Sequence, residues 1–265
     1  MPTPFTHLQM AENIAAQLAG ENGRSSENGR SLENGRLLDL LRREWPAFYL
    51  GSVAPDVQTV SGVSREATHF YGIPPAPDNL AYPRMLAQYP QLADVTQLSA
   101  AQAVFVAGYS AHLLLDLIWF REILLPIFVH SPELGERPQR WLLHHILLTY
   151  LDGLAYESLP ETAVTTLAAA HPHHWLPFVT DQHLQVWRDM LTVQLEPDAP
   201  LETVAVYAKR LQMTPEKFAA QLADKQWMAA HFFALVPVQK VQDRFETAVA
   251  ESITVIHNYL SPLIS

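Results

Sequence analysis

SAAQAVFVAGYSAHLLLDLIWF, running from Ser99 to Phe120, decides the fold class. Between Ala103 and Phe120 almost every residue is apolar, with no period-two alternation, so the stretch reads as a buried helix rather than a strand. The spacing predicts one long helix from Ser99 to Leu125, broken near Pro126. An apolar run of 18 residues is short for a membrane span, and it carries Asp116, which is costly in lipid. It is therefore expected to be the core helix of a soluble protein. His112 and Asp116 lie four apart, on one helix face and about 6 Å apart along the axis. Their neighbours Ala111, Leu113, Leu114, Leu115, Leu117, Ile118 and Trp119 are apolar. An ionised Asp there is expensive to bury, so a cation or a protonated partner must accompany it. The pair can grip one metal ion, or it can be a self-satisfied His–Asp pair in a core.

Outward from this stretch the pattern stays helical. Leu8, Ala11, Ile14, Ala15 and Leu18 make one apolar face before Gly20, with Thr6 and Gln9 placed as a capping box. A short helix is predicted from Leu37 to Arg43, stopping before Trp45-Pro46. Further helices are predicted over Pro138–Leu154, Leu159–Ala170, Asp181–Leu195, Leu201–Leu211, Pro215–Ala223, Trp227–Leu235 and Val238–Tyr259. The segment from Gly51 to Asn79, rich in Gly, Ser and Pro, reads as a long ordered loop, and loops of that length inside a compact domain usually carry function. Three copies of ENGR, at 21–24, 27–30 and 33–36, read as a solvated loop lengthened by duplication. The expected architecture is all-α: one compact multi-helix domain over 1–265, with a core about 2–155 and additional helices about 156–265. Pro197–Pro200 is the one candidate boundary within it.

Composition narrows the chemistry. With no cysteine, disulfides, thiolate metal sites and cysteine nucleophiles are excluded, and any metal must sit on His, Asp and Glu. Twelve histidines supply the donors. A net charge of −10 argues against coating nucleic acid, so no nucleic-acid partner is expected. MPTPFTHLQM shows no basic segment followed by an apolar one; a cytoplasmic location is the expectation, with at most peripheral membrane contact.

Two further places present metal-type side chains. In Gly51-Ser-Val-Ala-Pro-Asp56, Pro55 stiffens the backbone that leads to Asp56, as a metal ligand or catalytic base requires; a turn-capping Asp has the same appearance. His69 follows within Thr68-His69-Phe70-Tyr71, and His7 lies in the first helical turn; each could equally be a core or helix-start histidine. The tract His171-Pro172-His173-His174 and the helical His183, His231 and His257 read as structural or exposed, and the aromatic residues of 227–233 as core.

Taken in order, His7 in THL, Asp56 in GSVAPD, His69 in THFY, and His112 with Asp116 in GYSAHLLLD resemble the zinc-dependent phospholipase C family, whose fold is shared with single-strand-specific zinc nucleases. The likeness spans roughly residues 2–120. It implies an all-helical domain holding up to three zinc ions, and hydrolysis of a phosphodiester such as a phospholipid head group. Carried over by position, Asp56, His69, His112 and Asp116 form one zinc site, with Asp116 bridging to a second zinc held by His7 and the processed N-terminal residue. That residue would be Pro2, where the family carries a tryptophan. For the remaining zinc the family expects two histidines, with a carboxylate four residues after the second. Here His130 and His144 are available, but position 148 is Leu; His145 is followed four residues on by Thr149, and Asp152, on the same helix face, is the available substitute. Asp56 is the candidate base for the water that zinc activates. Two rivals remain: a nuclease of the same fold, and a non-catalytic helical module with one structural metal, which Leu148 favours.

Overall fold

The computed structural model describes residues 1–22, 29–197, 199 and 202–264, with only the backbone described for 21, 22 and 29–31. The all-α expectation holds: no strand occurs among the described residues. The helices are α1 (Pro4–Asn22), α2 (Gly29–Arg43), α3 (Trp45–Val53), α4 (Gln58–Ser61), α5 (Arg65–His69), α6 (Ala81–Gln88) and α7 (Ala100–Ile118). Then come α8 (Arg137–Ser158), α9 (Ala163–Ala168), α10 (Asp181–Leu195), α11 (Glu202–Arg210), α12 (Pro215–Ala223), α13 (Lys225–Trp227) and α14 (Val238–Ile264).

Ser99 caps α7, its Oγ accepting from the Gln102 N–H at 3.2 Å. The helix does not break at Pro126. It widens into a π-helical stretch over Trp119–Val129, where the His130 N–H reaches back to the Leu125 carbonyl at 2.9 Å. The run Ala100–Val129 is long and apolar enough to cross a membrane by length and composition, but 94% of its most apolar window is buried inside the fold. It is a core helix. Leu8, Ile14, Phe48, Phe105, Trp187 and Ile256 belong to one buried cluster around α7, and Trp119, Ile123, Leu147, Phe218 and Phe232 to a second around its π-helical end.

One close approach sets the geometry. α3 lies on α7 through Gly51 and Gly108, with no room for a side chain at either. A Cβ on Gly51 would stand 2.1 Å from the Phe105 carbonyl oxygen, and one on Gly108 would stand 2.6 Å from that of Phe48. The backbones are thereby brought close enough for the His112 Nδ1 on α7 to meet the Ser52 carbonyl on α3 at 2.8 Å.

Several expectations are corrected. Residues 51–79 are not one long loop: Gly51–Val53 finish α3, Ala54–Val57 form a 3-10 turn, and α4 and α5 follow. The Gly, Ser and Pro residues that suggested a loop serve other ends: Gly51 permits close packing, Pro55 sits in the first turn of the 3-10 segment, and Ser64 caps α5. There is no capping box at Thr6, because α1 starts at Pro4, whose fixed φ suits a first helical position. Thr6 instead lies within the first turn, its hydroxyl 3.0 Å from that of Thr3. The third ENGR copy, 33–36, is helical within α2 and meets α14: Arg36 donates to the Ile264 carbonyl at 3.0 Å, and Glu33 lies 3.3 Å from His257. Parts of the first two copies, and of Pro197–Pro200, lie outside the described residues. In the 227–233 segment Met228 and Phe232 are core, but Phe233 is 46% exposed.

Two glycine substitutions should separate close packing from helix propensity. Gly51→Ala forces α3 off α7 and should cost about 1–3 kcal/mol, or more. Gly153→Ala on α8, where nothing lies within 4 Å of the added carbon, should stabilise by about 0.5–1 kcal/mol. Urea unfolding midpoints of the two variants should therefore move in opposite directions.

Candidate metal centre

α1, the turn after α3, α5 and α7 deliver five metal-type side chains to one buried point. His7 comes from α1, Asp56 from the 3-10 turn, His69 from the last residue of α5, and His112 and Asp116 from α7. All but Asp56 are almost wholly buried. The two oxygens of Asp116 face different partners. Oδ1 lies 3.6 Å from His7 Nε2. Oδ2 lies 3.4 Å from His69 Nε2 and 3.9 Å from His112 Nε2. Asp56 Oδ1 is 3.5 Å from His69 Nε2, and the rings of His7 and His112 stack at 3.6 Å. Two groupings therefore have their donor atoms mutually within 4.8 Å: His7, His112 and Asp116, and Asp56, His69 and His112.

The rings are held from behind. The His112 Nδ1–H donates to the Ser52 carbonyl, leaving Nε2 as a lone pair. The Thr68 hydroxyl donates to the Arg65 carbonyl at 3.2 Å, so it can only accept from His69 Nδ1 at 2.9 Å, and His69 Nε2 is again a lone pair. The Tyr109 hydroxyl secures the Thr68 carbonyl at 2.5 Å. Phe70, with φ at 60°, ends α5 in the left-handed region that a bulky residue rarely takes. Around that turn both His69 and Tyr71 reach Asp116, the Tyr71 hydroxyl donating to Oδ2 at 3.0 Å.

Charge follows from these neighbours. Burial would raise Asp116, but the adjacent His7 imidazole and those of His112 and His69 outweigh it and hold the carboxylate far below its usual range. Burial likewise opposes ionisation of Asp56, and the adjacent His69 imidazole with the nearby His112 lowers it overall. Burial, with His7 beside it, takes His112 down to about 3, so its imidazole is neutral at ordinary pH. The Nε2 atoms of His7, His69 and His112 and Oδ1 of Asp116 are buried without a hydrogen-bond partner. Buried imidazole nitrogens beside carboxylates, unsatisfied by the protein, fit a divalent cation of zinc type.

The other candidate ligands lie elsewhere. His130 is exposed after the π-helical stretch. His144 Nε2 is occupied by the Trp119 indole N–H at 3.2 Å, and His145 Nδ1 donates to the Trp141 carbonyl at 2.7 Å. Asp152 is buried, with Oδ2 accepting from the Thr203 hydroxyl and Oδ1 without a hydrogen-bond partner. Pro2 is buried with its nitrogen in the peptide bond to Met1; burial lowers the Met1 amine to about 6, against the pull of Asp116 and Asp56. Among the described residues none of these joins either donor grouping. His171, His173, His174 and His231 are exposed, and His183 and His257 half-buried, all outside the centre. Sequence reasoning missed Arg65, which donates to Asp116 Oδ2 at 2.8 Å and to the Tyr71 hydroxyl at 2.7 Å. The only local signal is the helix start at Ser64, which puts Arg65 at the first position of α5.

A model of the family described as zinc dependent phospholipase C matches residues 6–193 of the chain. No curated protein and no solved structure matches it.

Burial pushes Asp152 up to about 6, against the bonds from Thr203 and Thr3. A folded-state pKa above the unfolded value gives stability that is complete below about pH 4 and is lost as pH rises through 6. In the metal-free chain, Asp152→Asn should therefore gain on wild type by about 2–3 kcal/mol between pH 4 and pH 8. Urea unfolding of both proteins in chelator measures this, and the opposite titration of the Met1 amine cancels in the difference. A gap that stays flat with pH would show that Asp152 carries its charge when folded.

Proposed function

The chain belongs to the zinc dependent phospholipase C family, and on that footing we propose that it is a zinc-dependent hydrolase of a lipid phosphodiester, acting at the centre around Asp116. The observation that carries this reading is the set of orphaned donors: three imidazole nitrogens and a carboxylate oxygen, buried and unpaired at one point. Asp56, His69, His112 and Asp116 are the proposed ligands of one zinc. His7 and the terminal amine, with Asp116 shared, are those of a second. The division of Asp116, Oδ1 toward His7 and Oδ2 toward His69 and His112, supports a bridging role.

Zinc bound there would supply the Lewis-acid charge that acidifies water and offsets the charge growing on phosphoryl oxygens. The chain's own groups do the rest. His112 and His69 keep their Nε2 lone pairs aimed inward because Ser52 and Thr68 hold Nδ1. Asp56 is 22% exposed where Asp116 is 1%, so it is the carboxylate that incoming water and substrate meet. Held in its ionised form, it is the proposed acceptor of the proton released by the attacking water. The apolar surroundings of α7 exclude bulk water, which strengthens each charge interaction in the centre.

Leu148 is buried and apolar where the family resemblance expects a carboxylate, which supports a centre of one or two ions rather than three. The net charge of −10 supports a lipid or small phosphodiester over single-stranded nucleic acid.

The zinc-loaded chain should hydrolyse bis-p-nitrophenyl phosphate and phospholipid, and leave single-stranded DNA intact. His112→Ala and Asp116→Asn should each lose most of the bound zinc by elemental analysis, lower the melting temperature, and cut hydrolysis at least about 100-fold. His257→Ala, remote from the centre, should do none of these. Full zinc content in either ligand variant would remove that residue from the centre; cleavage of DNA alone would make the protein a nuclease.

A further inference from the structure

Arg65 is, among the described residues, the only Arg or Lys paired with either carboxylate of the centre. Its NH2 group is committed: it donates to Asp116 Oδ2 at 2.8 Å and to the Tyr71 hydroxyl at 2.7 Å. The Tyr71 hydroxyl in turn donates to the same Asp116 oxygen at 3.0 Å, closing a three-membered network. The guanidinium also lies over the Tyr71 ring, 4.7 Å from its centroid. The plane of the guanidinium is thus fixed from two directions. Its other terminal nitrogen, NH1, is buried and has no hydrogen-bond partner. A cationic donor held rigid, with one of its two amino groups unsatisfied, is a half-built anion site.

Its position says which anion. Arg65 and Asp56, 23% and 22% exposed, are the least buried members of the centre, while His7, His69, His112 and Asp116 are at 1% or below. These two side chains are therefore the part of the centre nearest solvent, and the unpartnered NH1 of Arg65 lies on the buried side of its guanidinium. Two carboxylates and one guanidinium leave the protein groups net negative, so they do not by themselves attract an anion. A phosphoryl group would enter only with the cation charge in place, and then the unpartnered NH1 of Arg65 is the protein donor left to meet it.

We propose that Arg65 is the phosphate-binding residue of this site: with NH2 anchored on Asp116 and Tyr71, NH1 donates to a non-bridging oxygen of the substrate's phosphoryl group. The inference rests on the hydrolase reading for its substrate class, but the binding of phosphate itself can be measured without turnover. Because NH2 cannot leave Asp116 without exposing a buried carboxylate, Arg65 contributes a single fixed donor rather than a sliding fork. Lysine, with a point charge and no planar fork, cannot hold Asp116 and a phosphoryl oxygen together.

The test uses the full chain loaded with zinc and inorganic phosphate as the probe, titrated calorimetrically, with zinc content and melting temperature recorded on the same samples. Arg65→Gln should keep its zinc and bind phosphate about 10- to 100-fold more weakly than wild type. Arg65→Lys should keep zinc and fall between the two. Unchanged phosphate affinity in Arg65→Gln overturns the proposal. So does loss of zinc in that variant, which would mean that Arg65 acts only by positioning Asp116. If Arg65→Gln fails to fold, Arg65→Lys decides: wild-type phosphate affinity there overturns the proposal, and a weakened affinity at full zinc content supports it. Hydrolysis of bis-p-nitrophenyl phosphate by the same wild-type sample separates this inference from its premise. Phosphate binding through Arg65 without hydrolysis leaves the phosphate site standing and removes the hydrolase, whereas hydrolysis with an Arg65-independent phosphate affinity does the reverse.

Discussion

A carboxylate inside an apolar helix is the constraint around which this molecule is arranged. Asp116 is 1% exposed in the middle of α7, where an isolated charge would cost far more than a single domain's net stability. Three stretches of chain answer it: α1 with His7, residues 65–71 with Arg65, His69 and Tyr71, and α7 itself with His112. Each approaches a defined oxygen. The result keeps Asp116 ionised, yet it leaves Oδ1 and three imidazole nitrogens without hydrogens to share. The protein solves the burial of the charge and, in doing so, leaves unpaired donors at a point where a divalent cation would fit.

Backbone proximity makes the solution specific. α3 ends at Val53, so its last carbonyls lack helical partners. The Ser52 carbonyl accepts from His112 and the Val53 carbonyl from the Trp187 indole at 2.8 Å. Orphan groups at one helix end thereby orient a candidate ligand and pin α10 beneath the centre. Both bonds need α3 seated on α7 with no side chain between, which is what Gly51 and Gly108 provide. The close packing of two glycines is thus the mechanical precondition of the tautomer at His112.

How much of this could be read from residues alone follows the range of each interaction. His112 and Asp116 were legible because helix period places them on one face, and His7, Asp56 and His69 because ordered local contexts accompany them. Their convergence is a matter of tertiary structure, visible beforehand only through the family resemblance. Arg65 was invisible: its partner is 51 residues away, and nothing in its neighbours marks it. The 51–79 segment misled because Gly, Ser and Pro do different work in a packed helix end than in a loop. The third ENGR copy misled for the complementary reason. Its exposed Glu33 and Arg36 also contact α14, and its helix runs on into the apolar Leu37, Leu38, Leu40 and Leu41 that anchor α2.

A second buried aspartate shows that environment, not residue type, decides where a cation fits. Asp152 on α8 is as buried as Asp116, but hydroxyls of Thr3 and Thr203 surround it rather than imidazoles and a guanidinium, and it is pushed up where Asp116 is pushed down. Among the described residues no member of the imidazole cluster joins it in a donor grouping, and on the same helix the Nε2 of His144 is taken by the Trp119 indole. The same helical scaffold therefore carries one buried acid among imidazoles and a guanidinium that favour its charge, and another whose burial opposes its charge.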